Sequence, residues 1–205
     1  MLLEVTAKDI TPKQIVRWSD KEAPTPWPLG LCTDLLGGLA GLTYSWPSMH
    51  PHRELLERFY GAFQRRDGAA MADCYAEESS FSDPIYPLLD RDGVGAMWRM
   101  LTERGKDLVL RYEVTQADDQ SGQVRWTAHY TFSPTKRLVE NVVLGRFTFH
   151  DGRIARHEDD FDFWRWSRRA LGLPGVLLGW TPLLRQKVQV QAADTLRRYR
   201  DASTR

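Results

Sequence analysis

The sequence predicts an α+β fold in which helices lie on one curved sheet, and three observations lead to it. Helical periodicity dominates between residues 51 and 105, and long alternating runs fill residues 108 to 162. Asp151-Gly152 separates two of those runs, a strong hairpin signal. Helices followed by a meander of long strands form two layers around one core.

The hairpin is the organising stretch. Its arms are Glu140 to Phe149 and Arg153 to Asp162, and alternation in the second arm sets Arg156, Glu158, Asp160 and Asp162 against His157, Asp159, Phe161 and Phe163. The wholly charged set must face water or a partner. A simple two-residue turn would put Phe147 on that charged side. We therefore expect a three-residue turn with Gly152 as a left-handed bulge, Gly145 opposite His157 and Val143 opposite Asp159. This register buries a histidine and an aspartate beside Phe147 and Phe161. Burial of such groups is costly unless they are paired or neutralised, and a pocket with chemistry is one reason to keep them there.

The remaining elements follow in order. Residues 1–48, with Pro24, Pro26, Pro28 and Pro47 and several glycines, leave room for little beyond a short helix over Pro12 to Trp18, and read as an extension or as sequence upstream of a start at Met49. Arg53 to Arg66 places Leu55, Leu56, Phe59, Tyr60 and Phe63 on one helical stripe that Asp67-Gly68 ends, and a second helix is expected over Ala69 to Ala76. Ser79 to Asp83 reads as a strand with Phe81 and Asp83 on one face, stopped by Pro84. Asp92 is the expected N-cap of a third helix through Val94, Met97, Trp98 and Leu101, closed by Gly105. Leu108 to Ala117 and Gln123 to Ser133 are strands. In the latter Trp126 and Tyr130 alternate with Arg125, Thr127 and His129, which are expected on the outer side. Trp164 to Leu171 is helical, Gly172 to Gly175 breaks it, and a last helix begins at Thr181-Pro182 with Leu184, Val188, Ala192, Leu196 and Tyr199 on one face. The chain thus divides into an extension (1–48), an α+β domain (49–163) and a C-terminal helical extension (164–205).

Composition bounds the function. At 205 residues and 42% hydrophobic content the chain fills one domain with appendages. A net charge of +1 supplies no electrostatic reason to expect nucleic acid or a membrane as partner, and no run of apolar residues is long enough to span a bilayer. Two cysteines far apart, Cys32 and Cys74, and a glycine-broken apolar piece at Leu35 to Leu42 that makes a poor secretory signal suit the cytoplasm. No phosphate-binding glycine loop, nucleophilic serine motif or redox cysteine pair is present, so no cofactor is expected. His157-Glu158-Asp159-Asp160 offers metal-ligand types, but consecutive strand residues point to opposite faces and at most two converge. We therefore expect no metal.

Glu57 to Asp67, Phe81-Ser-Asp-Pro84 and Phe147 to Ile154, in this order of elements, resemble the nuclear transport factor 2-like superfamily. Within it the chain is most similar to the SnoaL-like polyketide cyclase and ketosteroid isomerase branch. The resemblance covers roughly residues 50 to 170. It implies a cone-shaped α+β barrel, a deep apolar pocket between helices and sheet, and a homodimer formed through the outer sheet face. In the isomerases a carboxylate before a proline is the general base, and Asp83-Pro84 stands at that place. Their two oxyanion donors, a tyrosine on the first helix and a protonated aspartate on a later strand, are a pairing used as a worked example in general accounts of pKa tuning. The matching places hold Phe59 and Gly145, and Tyr60 lies one position off, about 100° around the helix, so isomerisation of the usual kind lacks its donors. SnoaL-like cyclases use an acid/base aspartate on the last strand with a histidine nearby, which His157 and Asp159 resemble.

The expected catalytic residues are therefore Asp159, His157, Asp83 and Tyr60, with Tyr130 as a second possible hydrogen-bond donor. Phe59, Phe63, Phe81, Trp98, Trp126, Tyr130, Phe147 and Phe161 would surround a small apolar or aromatic substrate. For Asp83 the competing reading is an Asx-type cap over the Pro84 turn, and for His157 with Asp159 a buried pair that satisfies itself. The functional expectation is a cofactor-independent isomerase, cyclase, dehydratase or hydrolase acting through proton transfer. Its rival is a non-catalytic ligand-binding or dimeric scaffold protein.

Overall fold

A computed structural model of the chain describes residues 49–203; the expectations for residues 1–48 lie outside that range. The elements are α1 (Pro51–Gln64), α2 (Gly68–Ala72), β1 (Tyr75–Ser82), β2 (Leu89–Asp90), α3 (Arg91–Arg104), β3 (Val109–Ala117), β4 (Ser121–Phe132), β5 (Arg137–His150), β6 (Arg153–Asp160), α4 (Phe163–Leu171), α5 (Leu173–Leu178) and α6 (Pro182–Ser203). Six strands form one curved mixed sheet in the order β2-β1-β6-β5-β4-β3, left unclosed with β2 and β3 as its edges. Neighbours are antiparallel except β1 and β6, which run parallel.

Side-chain chemistry explains the boundaries. The apolar stripe of α1 buries Leu55, Leu56, Phe59, Tyr60 and Phe63, each removal of such a side chain from water contributing roughly 1.5–3 kcal/mol. Asp67 caps α2, its carboxylate accepting from the Ala70 amide at 2.9 Å. The cap of α3 is Asp90 rather than Asp92: Asp90 Oδ1 accepts from Gly93 N at 2.8 Å, and Asp92 falls in the first turn, where its charge suits the helix dipole. The second helix is shorter than expected. Tyr75 and Ala76 belong to β1, because pairing with β6, which sets Tyr75 opposite Ile154, overrides the helical composition of Ala69 to Ala76. The Gly172 to Gly175 break holds the short helix α5.

The central hairpin corrects the expected turn. Asp151 (φ 48°) and Gly152 (φ 71°) both adopt left-handed conformations in a two-residue turn, and His150 pairs with Arg153. The extra residue lies further along the strand: Phe149 pairs with Ile154 and Thr148 with Arg156, so Ala155 is bulged out. Phe147, not Gly145, therefore faces His157, and Gly145, not Val143, faces Asp159. The bulge restores the alternation that a tight turn alone would have inverted. His157 and Asp159 are buried, and Arg156 and Asp160 are exposed.

Candidate functional site

Four elements converge on His157. Phe147 of β5 stacks on the imidazole with centroids 4.1 Å apart, and Phe59 of α1 and Phe81 of β1 meet it edge-on at 5.7 and 5.0 Å. Inside this aromatic box both ring nitrogens are engaged. Nδ1 lies 2.7 Å from the Tyr75 hydroxyl and Nε2 lies 3.0 Å from Asp159 Oδ1. Trp98 Nε1 of α3 donates to the Tyr75 hydroxyl at 3.0 Å, and Trp126 Nε1 of β4 donates to Asp159 Oδ1 at 3.2 Å.

Every donor in this row finds an acceptor in one arrangement. Trp98 gives its proton to Tyr75, Tyr75 gives its own to Nδ1, and the ring, protonated at Nε2, donates to Asp159. Oδ1 of Asp159 then accepts two hydrogen bonds, whereas Oδ2 has no partner among the described residues. The histidine thus orients the carboxylate from behind.

A cavity of 390 Å³ opens on the other side of Asp159, between the concave sheet face, α3, α4 and α6. Of the expected residues, Asp159, Asp83, Phe63, Phe81, Trp98, Trp126, Tyr130 and Phe161 line it. His157, Phe59 and Phe147 form the wall behind. Tyr60, one position round α1 from Phe59, stacks on Tyr112 at 5.1 Å, and its buried hydroxyl has no hydrogen-bond partner among the described residues. That hydroxyl and Asp159 Oδ1 both crowd Gly145: a Cβ there would sit 2.9 Å from the first and 3.0 Å from the second.

The parallel β1–β6 pair brings the second carboxylate alongside. Phe81 pairs with His157 and Ser82 with Glu158, so one further step along both chains makes Asp83 level with Asp159. Asp83 Oδ1 accepts from the amides of Ile85 and Tyr86, which is the Asx-type cap over the Pro84 turn, yet the same residue lines the cavity. The cap and the site coincide. Burial pushes the Asp83 carboxyl up to about 7, the Tyr86 amide opposing the rise and the Asp159 charge adding to it.

Tyr130 supplies a hydroxyl at the cavity wall. It accepts from Trp166 Nε1 of α4 at 3.0 Å, which leaves its own proton available to a bound molecule, and burial raises its pKa. Two contributions escape a sequence reading. Tyr75 lies in a segment of helical composition, and the cavity-facing Val188, Gln191, Ala192 and Thr195 belong to α6, far along the chain from the hairpin. Their only sequence signal is the apolar stripe of the last helix. Among the described residues no cluster of histidine, cysteine, aspartate and glutamate has the form of a metal site.

The chain shares its fold with solved proteins at low identity. A candidate polyketide cyclase from Xanthomonas campestris pv. campestris aligns with 19% identity over 58% of this chain and 96% of its own (TM-score 0.52). IdmH, a candidate polyketide cyclase from Streptomyces antibioticus, aligns with 23% identity over 60% and 100% (TM-score 0.50). AclR, a candidate hydroxylase from Streptomyces galilaeus, aligns with 16% identity over 66% and 97% (TM-score 0.51). No curated protein matches the sequence. The curved sheet with helices on its concave face is the fold of these neighbours, and the match of residues 56–157 to the model of the SnoaL-like domain makes this chain a member of the SnoaL-like branch of the nuclear transport factor 2-like superfamily.

Proposed function

We propose that the domain is a cofactor-independent enzyme that moves protons on an apolar cyclic molecule. The observation that supports this reading most is the pair of aspartates, level at two parallel strand ends, sharing one aromatic cavity but held differently. Asp159, fixed by His157 and Trp126, keeps Oδ2 for substrate and acts as base towards a C–H beside a carbonyl. The Tyr130 hydroxyl donates to the oxygen on which charge develops. Asp83, with its carboxyl near 7, is protonated in about half of the molecules at neutral pH and can give its proton to the enolate at carbon or oxygen, Asp159 then losing the abstracted proton and Asp83 regaining one through solvent. Phe81, Trp98, Trp126 and Phe161 favour a flat ring system. Isomerisation and ring closure both begin with this proton abstraction, and the fold alone favours neither.

The test is α-proton exchange of bicyclic aryl ketones such as tetralones in D2O, followed by NMR. Exchange that saturates with ketone and falls by about 10²–10⁴-fold in Asp159→Asn is expected. Ketones that bind with no exchange above buffer would place the domain in the non-catalytic, ligand-binding class. We also assign the homodimer interface to the outer sheet face, where Arg125, Val142 and Asp160 border a shallow depression and Val142 is 40% exposed. Val142→Glu should leave the protein folded and monomeric by sedimentation.

A further inference from the structure

The segment after the hairpin has an unusual distribution of side chains. Helix α5 turns its small residues inward: a Cβ at Gly175 would overlap the Ser167 carbonyl, and one at Gly179 would overlap Ser167 Oγ and meet Trp164 Cδ1 at 2.7 Å. With the two glycines packed on α4, the bulky residues between and beside them face out. Leu173 is 76% exposed, Leu177 66%, Trp180 70% and Leu183 73%, with Val176, Leu178 and Trp164 also exposed. This inverts an ordinary soluble helix, whose large apolar side chains are the buried ones.

Charge is equally one-sided. From Phe163 to Ala193 the sequence holds Arg165, Arg168, Arg169, Arg185 and Lys187 and no aspartate or glutamate. The overall net charge of +1 conceals this local excess. Arg169 is paired with Glu140 at 2.9 Å, and Arg168 and Arg185 lie over Trp164 and Phe163, but Arg165 and Lys187 are exposed with no ion pair among the described residues. No described helix is long and apolar enough to cross a membrane.

We infer that α5, with Trp164, Trp180 and Leu183, is an interfacial anchor that seats this face on an anionic lipid bilayer. Leucines and a tryptophan enter the headgroup layer while the surrounding cations meet lipid phosphates and carboxylates. A second copy of the chain is a poor occupant, because a two-fold contact here would bring the basic sets together. This departs from the expectation drawn from net charge, since attachment to a surface needs a local patch and not a basic protein. The placement also bears on the cavity: α4 and α6, which flank α5, contribute Leu171, Val188 and Ala192 to its lining, so an apolar molecule leaving the bilayer would meet the helices that border the site.

The experiment is co-flotation of the full chain with phosphatidylcholine vesicles with or without 30% phosphatidylglycerol, a composition of roughly physiological anionic content. Binding to the anionic vesicles is expected. It should fall at least about tenfold in Leu177→Glu/Trp180→Ser and in Arg165→Glu/Lys187→Glu, and weaken in high salt. These side chains are exposed, so unchanged circular dichroism and melting temperature verify that each variant is folded. Absence of binding to either vesicle overturns the proposal, as does equal binding by both variants and the parent protein. Loss of self-association in Leu177→Glu/Trp180→Ser without vesicle binding also overturns it and makes the patch a contact between copies.

Discussion

Asp159 Oδ1 lies 3.0 Å from His157 Nε2, and the other nitrogen of that ring is already taken by Tyr75. A histidine closed off on both sides is a spacer that fixes a carboxylate and does not itself line the cavity. The Tyr75 hydroxyl is what settles which ring nitrogen carries the proton.

Tyr75→Phe should therefore act at a distance. It keeps the ring but strips Nδ1 of His157 and Nε1 of Trp98 of their shared partner in a buried place. A loss of stability on the order of 1–3 kcal/mol is expected in urea unfolding. Nitrogen chemical shifts of His157 should report mixed tautomers, a change that loss of packing alone would leave absent.

Asp83 makes stability depend on pH with a definite sign. Its carboxyl is raised from 3.8 unfolded to about 7 folded, so the native state binds the extra proton, and the stability this supplies is complete below about 3.8 and lost as pH rises through 7. Asp83→Asn keeps an acceptor for the Ile85 and Tyr86 amides and never ionises. It should be more stable than the parent at pH 8, by at most roughly 4 kcal/mol and less in proportion to its partial exposure, and equal to it near pH 4. Unfolding curves at the two pH values check this.

Asp159→Asn should move the titration of its neighbour. Without that negative charge the Asp83 midpoint falls from about 7, yet stays above 3.8 because burial is the larger cause. Carbon-13 NMR of the Asp83 carboxyl measures it directly. An unmoved midpoint would show that the two carboxylates do not sense each other.

Gly145→Ala should be poorly tolerated although glycine's backbone freedom is not at issue. The added methyl carbon meets Tyr60 Oη at 2.9 Å and Asp159 Oδ1 and Phe147 Cε2 at 3.0 Å. An overpacking cost of about 1–3 kcal/mol is expected, with weakened ligand binding as Asp159 is displaced. Thermal melts and ligand titration separate the two effects.

The legible part of this protein was its parity. Four charged side chains at alternate positions from Arg156 to Asp162 left the odd positions no choice but the interior, and Asp159 does line the cavity. Where the surplus residue lies was not legible, because a bulge at Gly152 and one at Ala155 give the same alternation and differ only in partners across the hairpin. Tyr75 was hidden by local composition: alanines and a methionine before it favour helix, and only the β6 edge makes it strand. The share of α6 in the cavity was hidden by distance along the chain. Asp83 was legible in both senses, as cap and as cavity residue, since an Asx turn orders the backbone and leaves the second oxygen free.

The Ala155 bulge has one more consequence, for how such a chain can change length. Pairing Ala155 into a continuous ladder would set Phe147 opposite Arg156, exporting His157 and Asp159 to water and drawing Arg156 and Glu158 inside, whereas deleting Ala155 joins Ile154 to Arg156 and leaves Phe147 facing His157. Deleting Ala155 should therefore leave the protein folded, as should adding residues between Asp151 and Gly152, and soluble expression of both variants would reveal it. By standing outside the ladder, a single alanine lets a tight turn coexist with the half of the hairpin's alphabet that must become interior.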